Sequence, residues 1–122
     1  MLRVLLAEDS EAIRERLVES FESIPNVVVV GMYEDPDAAI AGIQQHQPDV
    51  VLLDIRLRNG SGMRVLQHTA HSHPSTKVAI LSNFNEPQYR AACIKNGAHY
   101  FFDKSNEFEK VPELLKQLAG TL

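Results

Sequence analysis

Short apolar runs alternate along the chain with stretches whose apolar residues recur every three or four positions. The runs are Leu2–Ala7, Val27–Val30 continuing to Tyr33, Val50–Leu53, Val78–Leu81 and Tyr100–Phe102. Continuous apolar composition is what strands buried on both faces require, and parallel strands are buried in that way. Between the runs, Ile13, Leu17, Phe21 and Ile24 fall on one helical stripe, with Asp9 or Ser10 as N-cap and Pro25 as stop. Asp35-Pro36 opens a second helix, the acid capping it and the proline filling its first position. Ala39, Ile40 and Ile43 supply its stripe. A glycine-bearing loop, Asn59–Gly62, leads to a third helix carrying Met63, Leu66 and Ala70. Pro87 begins a fourth, which ends at the C-cap pair Asn96-Gly97. Val111, Leu114, Leu115 and Leu118 mark a fifth. Pro112 inside that stripe lacks an amide hydrogen and clashes one turn back. Either Asn106–Lys110 forms a separate turn or the helix bends at Pro112. The order predicts an α/β fold, a (βα)5 sandwich of three layers. Right-handed crossovers would set helices on both faces of a five-stranded parallel sheet. One domain is expected to fill residues 1–122.

The polar residues that interrupt this pattern carry the chemistry. Glu8 and Asp9 follow the first strand, Asp54 the third, Ser82 the fourth and Lys104 the fifth. In such sheets, ligands bind beyond the carboxyl ends of the strands, where strand order reverses. Three carboxylates brought together repel unless a cation joins them, and an amine beside them suggests that an anion visits too. Mg2+ suits such a set, because it takes a few carboxylates, water and a phosphate oxygen. Lys104 would add fixed positive charge where charge builds up during phosphoryl transfer.

Bulk properties remove several classes. Twelve Lys plus Arg stand against sixteen Asp plus Glu, a formal net charge of −4 with no run of like charge. The chain lacks the basic footprint of a direct nucleic-acid binder. No apolar stretch approaches membrane-spanning length, and the N-terminus runs straight into a strand without a signal peptide. The single Cys93 excludes an internal disulfide and fits a reducing cytoplasm. His68, His71 and His73 lack a fourth ligand and read as solvated surface histidines, and His99 reads as partly buried beside the fifth strand. Alternation puts Phe101 on the opposite face from Tyr100 and Phe102.

The acidic pair Glu8-Asp9, the run Val50–Leu53 closing on Asp54, the pair Leu81-Ser82 and the segment Gly97–Lys104 occur in a distinctive order. Together they resemble the receiver domain of two-component response regulators, over essentially the whole chain. That resemblance implies a flavodoxin-like fold with strand order 2-1-3-4-5. It implies a cytoplasmic signalling module whose only chemistry is Mg2+-dependent self-phosphorylation and autodephosphorylation, not an enzyme otherwise. Asp54 would accept a phosphoryl group from the phospho-histidine of a sensor kinase or phosphotransfer protein. Glu8, Asp9, Asp54 and the backbone carbonyl of Arg56 would hold Mg2+, with Glu8 reaching it directly or through a water. Ser82 would hydrogen-bond the attached phosphoryl group and Lys104 would pair with one of its oxygens. Phe101 would swing inward when Ser82 moves. The surface of the fourth helix, fifth strand and fifth helix would bind a downstream protein or a second copy, with Tyr89, Arg90 and Lys95 able to join it.

The chain departs from the family pattern at several positions. Arg58 and Ser105 stand where proline is common, and the latter leaves the isomer of the Lys104–Ser105 peptide open. Asn83 replaces a small residue. Arg56, Asn83 and Phe84 flank the same pocket and are expected to limit water access and slow dephosphorylation. Other readings compete. An aspartate-nucleophile phosphatase would need a second acid where Arg56 stands, and a flavin-binding flavodoxin would need a phosphate loop where Glu8-Asp9 would repel phosphate. A receiver-like module that is never phosphorylated is a third. The start at Met1 and the absence of a linker after the fifth helix suggest a stand-alone receiver, the alternative being the excised receiver of a larger DNA-binding regulator.

Overall fold

The computed structural model describes residues 1–83 and 86–121. Five parallel strands form one sheet: β1 (Leu2–Ala7), β2 (Val27–Tyr33), β3 (Val50–Leu53), β4 (Lys77–Ser82) and β5 (Tyr100–Asp103). Their order is β2-β1-β3-β4-β5, as the resemblance implied. The helices are α1 (Glu11–Phe21), α2 (Pro36–His46), α3 (Gly62–Ser72), α4 (Pro87–Lys95) and α5 (Lys110–Gly120). Between β3 and α3, Arg56–Leu57 pairs antiparallel with Gly60–Ser61.

Alternation along the strands divides the core in two. Leu5, Ala7, Val51, Leu53 and Ile80 face one way and meet Ala39 and Ile43 of α2, Val65 and Leu66 of α3 and Cys93 of α4. Val4, Leu6, Val50, Leu52 and Leu81 face the other way and meet Leu17 and Phe21 of α1 and Val111, Leu114 and Leu115 of α5. Every residue of β3 is buried, as its unbroken apolar sequence demands. Burying side chains of this size contributes roughly 1.5–3 kcal/mol each, so the two half-cores hold the sheet rigid beneath its carboxyl edge.

Helix starts follow the sequence closely. The side chain of Ser10, not Asp9, caps α1 by accepting from the Ile13 amide at 3.3 Å. Asp35 caps α2 by accepting from the Ala38 amide at 2.8 Å. Helix ends are less faithful. α1 stops at Phe21, a turn before Pro25, because the chain tightens through an Ile24 amide bond to the Phe21 carbonyl at 3.0 Å. Ile24 is buried all the same. Residues 104–109 form turns, and α5 begins at Lys110. Pro112 therefore falls in the first helical turn, where an amide hydrogen would have no partner within the helix, and the chain takes the separate turn rather than a bend. Among the described residues there is no cis peptide, so Lys104–Ser105 is trans.

Loss of the Asp35 carboxylate leaves the Ala38 amide at the start of α2 without its cap. Asp35→Ala should lower unfolding free energy by about 1 kcal/mol, measured by urea denaturation against wild type.

Candidate functional site

Strand order reverses between β1 and β3, and both strands end in acids. Parallel register pairs Ala7 with Leu53, so the next residues, Glu8 and Asp54, emerge side by side. One oxygen from each of Glu8, Asp9 and Asp54 lies within 4.8 Å of the others. Glu8 and Asp54 are buried, at 3% and 7% exposure, and Asp9 is the most open of the three. Ser82 pairs in register with Asp103 across β4 and β5, which delivers Lys104 to the same edge.

Lys104 lies between two carboxylates. Its Nζ is 2.6 Å from Glu8 Oε1 and 2.7 Å from Asp54 Oδ2. Burial works against the charge of Lys104, but hydrogen bonds and Coulomb attraction from Asp54 and Glu8 outweigh it and hold the ammonium above its usual pKa. Glu8 responds differently. Burial raises its pKa, and the bonds from Lys104 and the Ser10 amide only partly oppose that rise. One amine shared by two acids satisfies the pair incompletely, and Glu8, the deeper of the two, bears the cost.

The remaining oxygens are also addressed. Asp54 Oδ1 accepts from the Arg56 amide at 3.2 Å, and Glu8 Oε2 accepts from the Ser10 amide at 3.1 Å. A cleft of about 650 Å³ opens above the acids, rimmed by Arg16, Arg56, Asn83 and Ser105. Arg56 and Asn83 thus stand where they were expected, while Phe84 lies outside the described residues. Ser82 is fully buried, and its carbonyl accepts from the Lys104 amide at 3.0 Å. Phe101 is buried among the residues facing α2, α3 and α4, so its ring already occupies an inward position. The Arg90 guanidinium lies 4.9 Å from the centre of that ring. Tyr89, Arg90 and Lys95 are exposed on α4, which buries only Cys93.

Gly62 holds the start of α3 against the acceptor strand end. A Cβ on Gly62 would lie 2.0 Å from the backbone oxygen of Asp54. The Gly62 amide donates to the Ile55 carbonyl at 2.6 Å, pulling the start of α3 against the acceptor strand end. The glycine is needed for close approach, not for turning the loop, and spacing alone could not show that.

The histidines divide: His71 is at the surface as expected, and His68 and His73 are partly buried. The His68 Nε2 is buried without a hydrogen-bond partner and its ring centre is 5.7 Å from that of His73. Burial first, and then the neighbouring His73, holds His68 below its usual pKa. His99 is exposed overall rather than partly buried, yet its Nδ1 turns inward and accepts from the Val78 amide at 3.0 Å. Among the described residues, Glu8, Asp9 and Asp54 form the only cluster of three or more side chains able to hold a metal. Their hard oxygen donors fit Mg2+ rather than a soft transition metal.

The doubly wound sheet thus gathers three acids and a lysine at its switch point. The model of the response regulator receiver domain matches residues 4–116, and the chain belongs to that family of two-component signalling proteins. It is 30% identical over 120 residues to the DNA-binding transcriptional activator DevR/DosR of Mycobacterium tuberculosis, covering 98% of this chain and 55% of that protein. It is 26% identical over 117 residues to the transcriptional regulatory protein YvfU of Bacillus subtilis, covering 96% of this chain and 58% of that protein. The signal receiver domain of the regulator NarL from M. tuberculosis superposes with a TM-score of 0.88 at 28% identity, over 98% of this chain and 96% of that one. The chain spans about half the length of the curated regulators it matches first, 58% and 50%. Among the described residues, no helix is long and apolar enough to cross a membrane.

Two measurements test this geometry. Gly62→Ala forces the Asp54 carbonyl to move and should cost more than the roughly 0.5–3 kcal/mol of an ordinary substitution, read as a lowered urea midpoint. Glu8 has a folded pKa above its unfolded one, so the folded state holds the extra proton between the two values and loses stability as pH rises through that window above 4.5. Glu8→Gln removes this term. In metal-free buffer its stability relative to wild type should rise from pH 4.5 to pH 7.5, and a difference that stays flat contradicts the assignment.

Proposed function

We propose that Asp54 is the phosphoryl acceptor of this receiver. The observation that carries the reading is the Lys104 ammonium bound to Asp54 Oδ2 at 2.7 Å, beside Glu8 and Asp9, at the sheet's switch point. An Asp54 oxygen attacks the phosphorus of a phospho-histidine on a sensor kinase or phosphotransfer protein. The O–P bond forms as the N–P bond breaks, and the electron pair leaves with the imidazole nitrogen. Glu8, Asp9, Asp54 and the Arg56 carbonyl would hold Mg2+, which when bound supplies the positive charge that lets a carboxylate and a phosphoryl group approach. Lys104 then exchanges one of its carboxylate partners for a phosphoryl oxygen, keeping its charge where negative charge accumulates. The Arg56 amide, already on Asp54 Oδ1, orients the other oxygen.

Ser82 and Phe101 would carry the change outward. Ser82 is buried one strand from Asp54, and Phe101 is its near neighbour across the β4–β5 ladder. A hydrogen bond from Ser82 to the new phosphoryl group would draw the end of β4 toward Asp54 and favour the inward Phe101. α4, with Cys93 as its only buried residue, is loosely held and suited to respond. The output would be a downstream protein or a second copy on the α4–β5–α5 face, where Tyr89 and Ile94 are exposed at 38% and 49%. The curated relatives named above are transcriptional regulators, which favours an output domain acting on DNA as the alternative to a stand-alone receiver. Arg56 two residues after Asp54 argues against phosphatase chemistry by this chain, and a cytoplasmic setting is part of the same proposal.

Incubation with a small-molecule phosphodonor and Mg2+, followed by intact mass, tests the acceptor. Wild type should gain one phosphoryl group and Asp54→Ala none. No gain in wild type, or equal gain in both, would sink the assignment.

A further inference from the structure

The acids that form the site come from two separate turns, Glu8-Asp9 after β1 and Asp54 at the head of the loop after β3. Glu34, just past the edge strand β2, bonds a side chain or backbone from each turn's surroundings. Its Oε1 receives Arg14 Nη2 at 3.0 Å and its Oε2 receives Arg58 Nη1 at 2.8 Å. The other guanidinium nitrogen of Arg14 donates to the Glu8 carbonyl at 2.8 Å. On the opposite side, the Arg58 amide donates to the Glu34 carbonyl at 2.9 Å. The Glu8 amide donates to the carbonyl of Tyr33, next to Glu34, at 2.9 Å. Each turn is therefore held twice, once by backbone and once by a guanidinium, and both guanidiniums end on the one Glu34 carboxylate.

We infer that Glu34 is a positioning residue that ties, through Arg14 and Arg58, the Glu8 turn to the loop after Asp54 and so sets the cation affinity of the site. The inference rests on the reading of Glu8, Asp9 and Asp54 as a Mg2+ site. Sheet register and Lys104 already hold Glu8 and Asp54 together, so the contribution assigned to Glu34 is the path of the two turns that carry Asp9 and the segment after Asp54. Groups hydrogen-bonded directly to metal ligands commonly govern metal affinity, and Glu34 acts one step further out, through the Glu8 carbonyl and the Arg58 amide. A carboxylate accepting from two guanidiniums, one per oxygen, suits this, because the bonds are charge-assisted and directional. Arg14 is 16% exposed, so the limb that reaches Glu8 is shielded from solvent, whereas Arg58 is 60% exposed and its ion pair is screened, leaving its amide bond to the Glu34 carbonyl as the firmer half of that limb. Arg58 adds its amide hydrogen as well as its charge, and a proline there could supply neither.

The test is a Mg2+ titration of the full chain, read by the thermal unfolding midpoint, with amide hydrogen exchange at Arg58 as a second signal. Glu34→Gln and Arg58→Ala should each shift the half-saturating Mg2+ concentration upward by on the order of tenfold. Arg58→Lys, which keeps a cation, should fall between them and wild type. Exchange at the Arg58 amide should quicken in Glu34→Gln. If both variants only lower the metal-free midpoint and leave half-saturation unchanged, Glu34 is merely structural and the inference fails. If wild type responds to Mg2+ no more than Asp54→Ala does, the cation-site reading fails and this inference fails with it.

Discussion

The Lys104 ammonium, held between the carboxylates of Glu8 and Asp54, is the interaction on which the arrangement depends. Three acids at the end of a sheet are unstable company, and burial of two of them sharpens the repulsion. Lys104 reaches them because β5 lies two strands from β3 and its parallel register with β4 ends at Asp103, one residue short of the lysine. Removing Lys104 would leave two buried carboxylates without their shared cation, a loss of about 3–5 kcal/mol in comparable cases. The amine therefore steadies the resting protein, and the proposed function gives it a second use beside an arriving phosphoryl anion.

The same economy extends outward. Asp103 accepts from the Ser105 amide and from Asn106, while its own amide donates to Glu107, which also binds Arg90 of α4 and Lys110 at the head of α5. The Arg90 guanidinium also lies against the Phe101 ring. The segment that delivers Lys104 is thus tied to the face expected to meet a partner. Arg58 and Ser105 each contribute a backbone amide hydrogen bond that a proline could not make. Loop rigidity here comes from hydrogen bonds and ion pairs rather than from a fixed φ.

Much was legible in the chain because hydrophobic periodicity reports burial directly. Val50–Leu53 reads as a short strand covered on both faces, Asp35-Pro36 carries the cap and first-turn signals of a helix start, and strand alternation turns Phe101 away from its neighbours. The acids and Lys104 were legible for a related reason: charged groups must leave such strands at their ends, and parallel strands end together. Ile24 shows the limit. It shares the α1 stripe yet lies past the helix end, because burial leaves the same sequence signal whether the backbone is helical or turned.

The sequence by itself determined the element order, the two-sided core and the identity of the residues gathered at the carboxyl edge. Only the tertiary structure decided that Lys104 bridges Glu8 and Asp54, that Gly62 must lack a side chain beside the Asp54 carbonyl, that His99 turns a nitrogen onto Val78, and that Glu34 joins two arginines from different elements. The physical reason is distance along the chain. Periodicity is a local property, set by each residue and its near neighbours. Ion pairs and close approaches join residues tens of positions apart, and their partners are chosen by strand register and loop path, which no local pattern encodes.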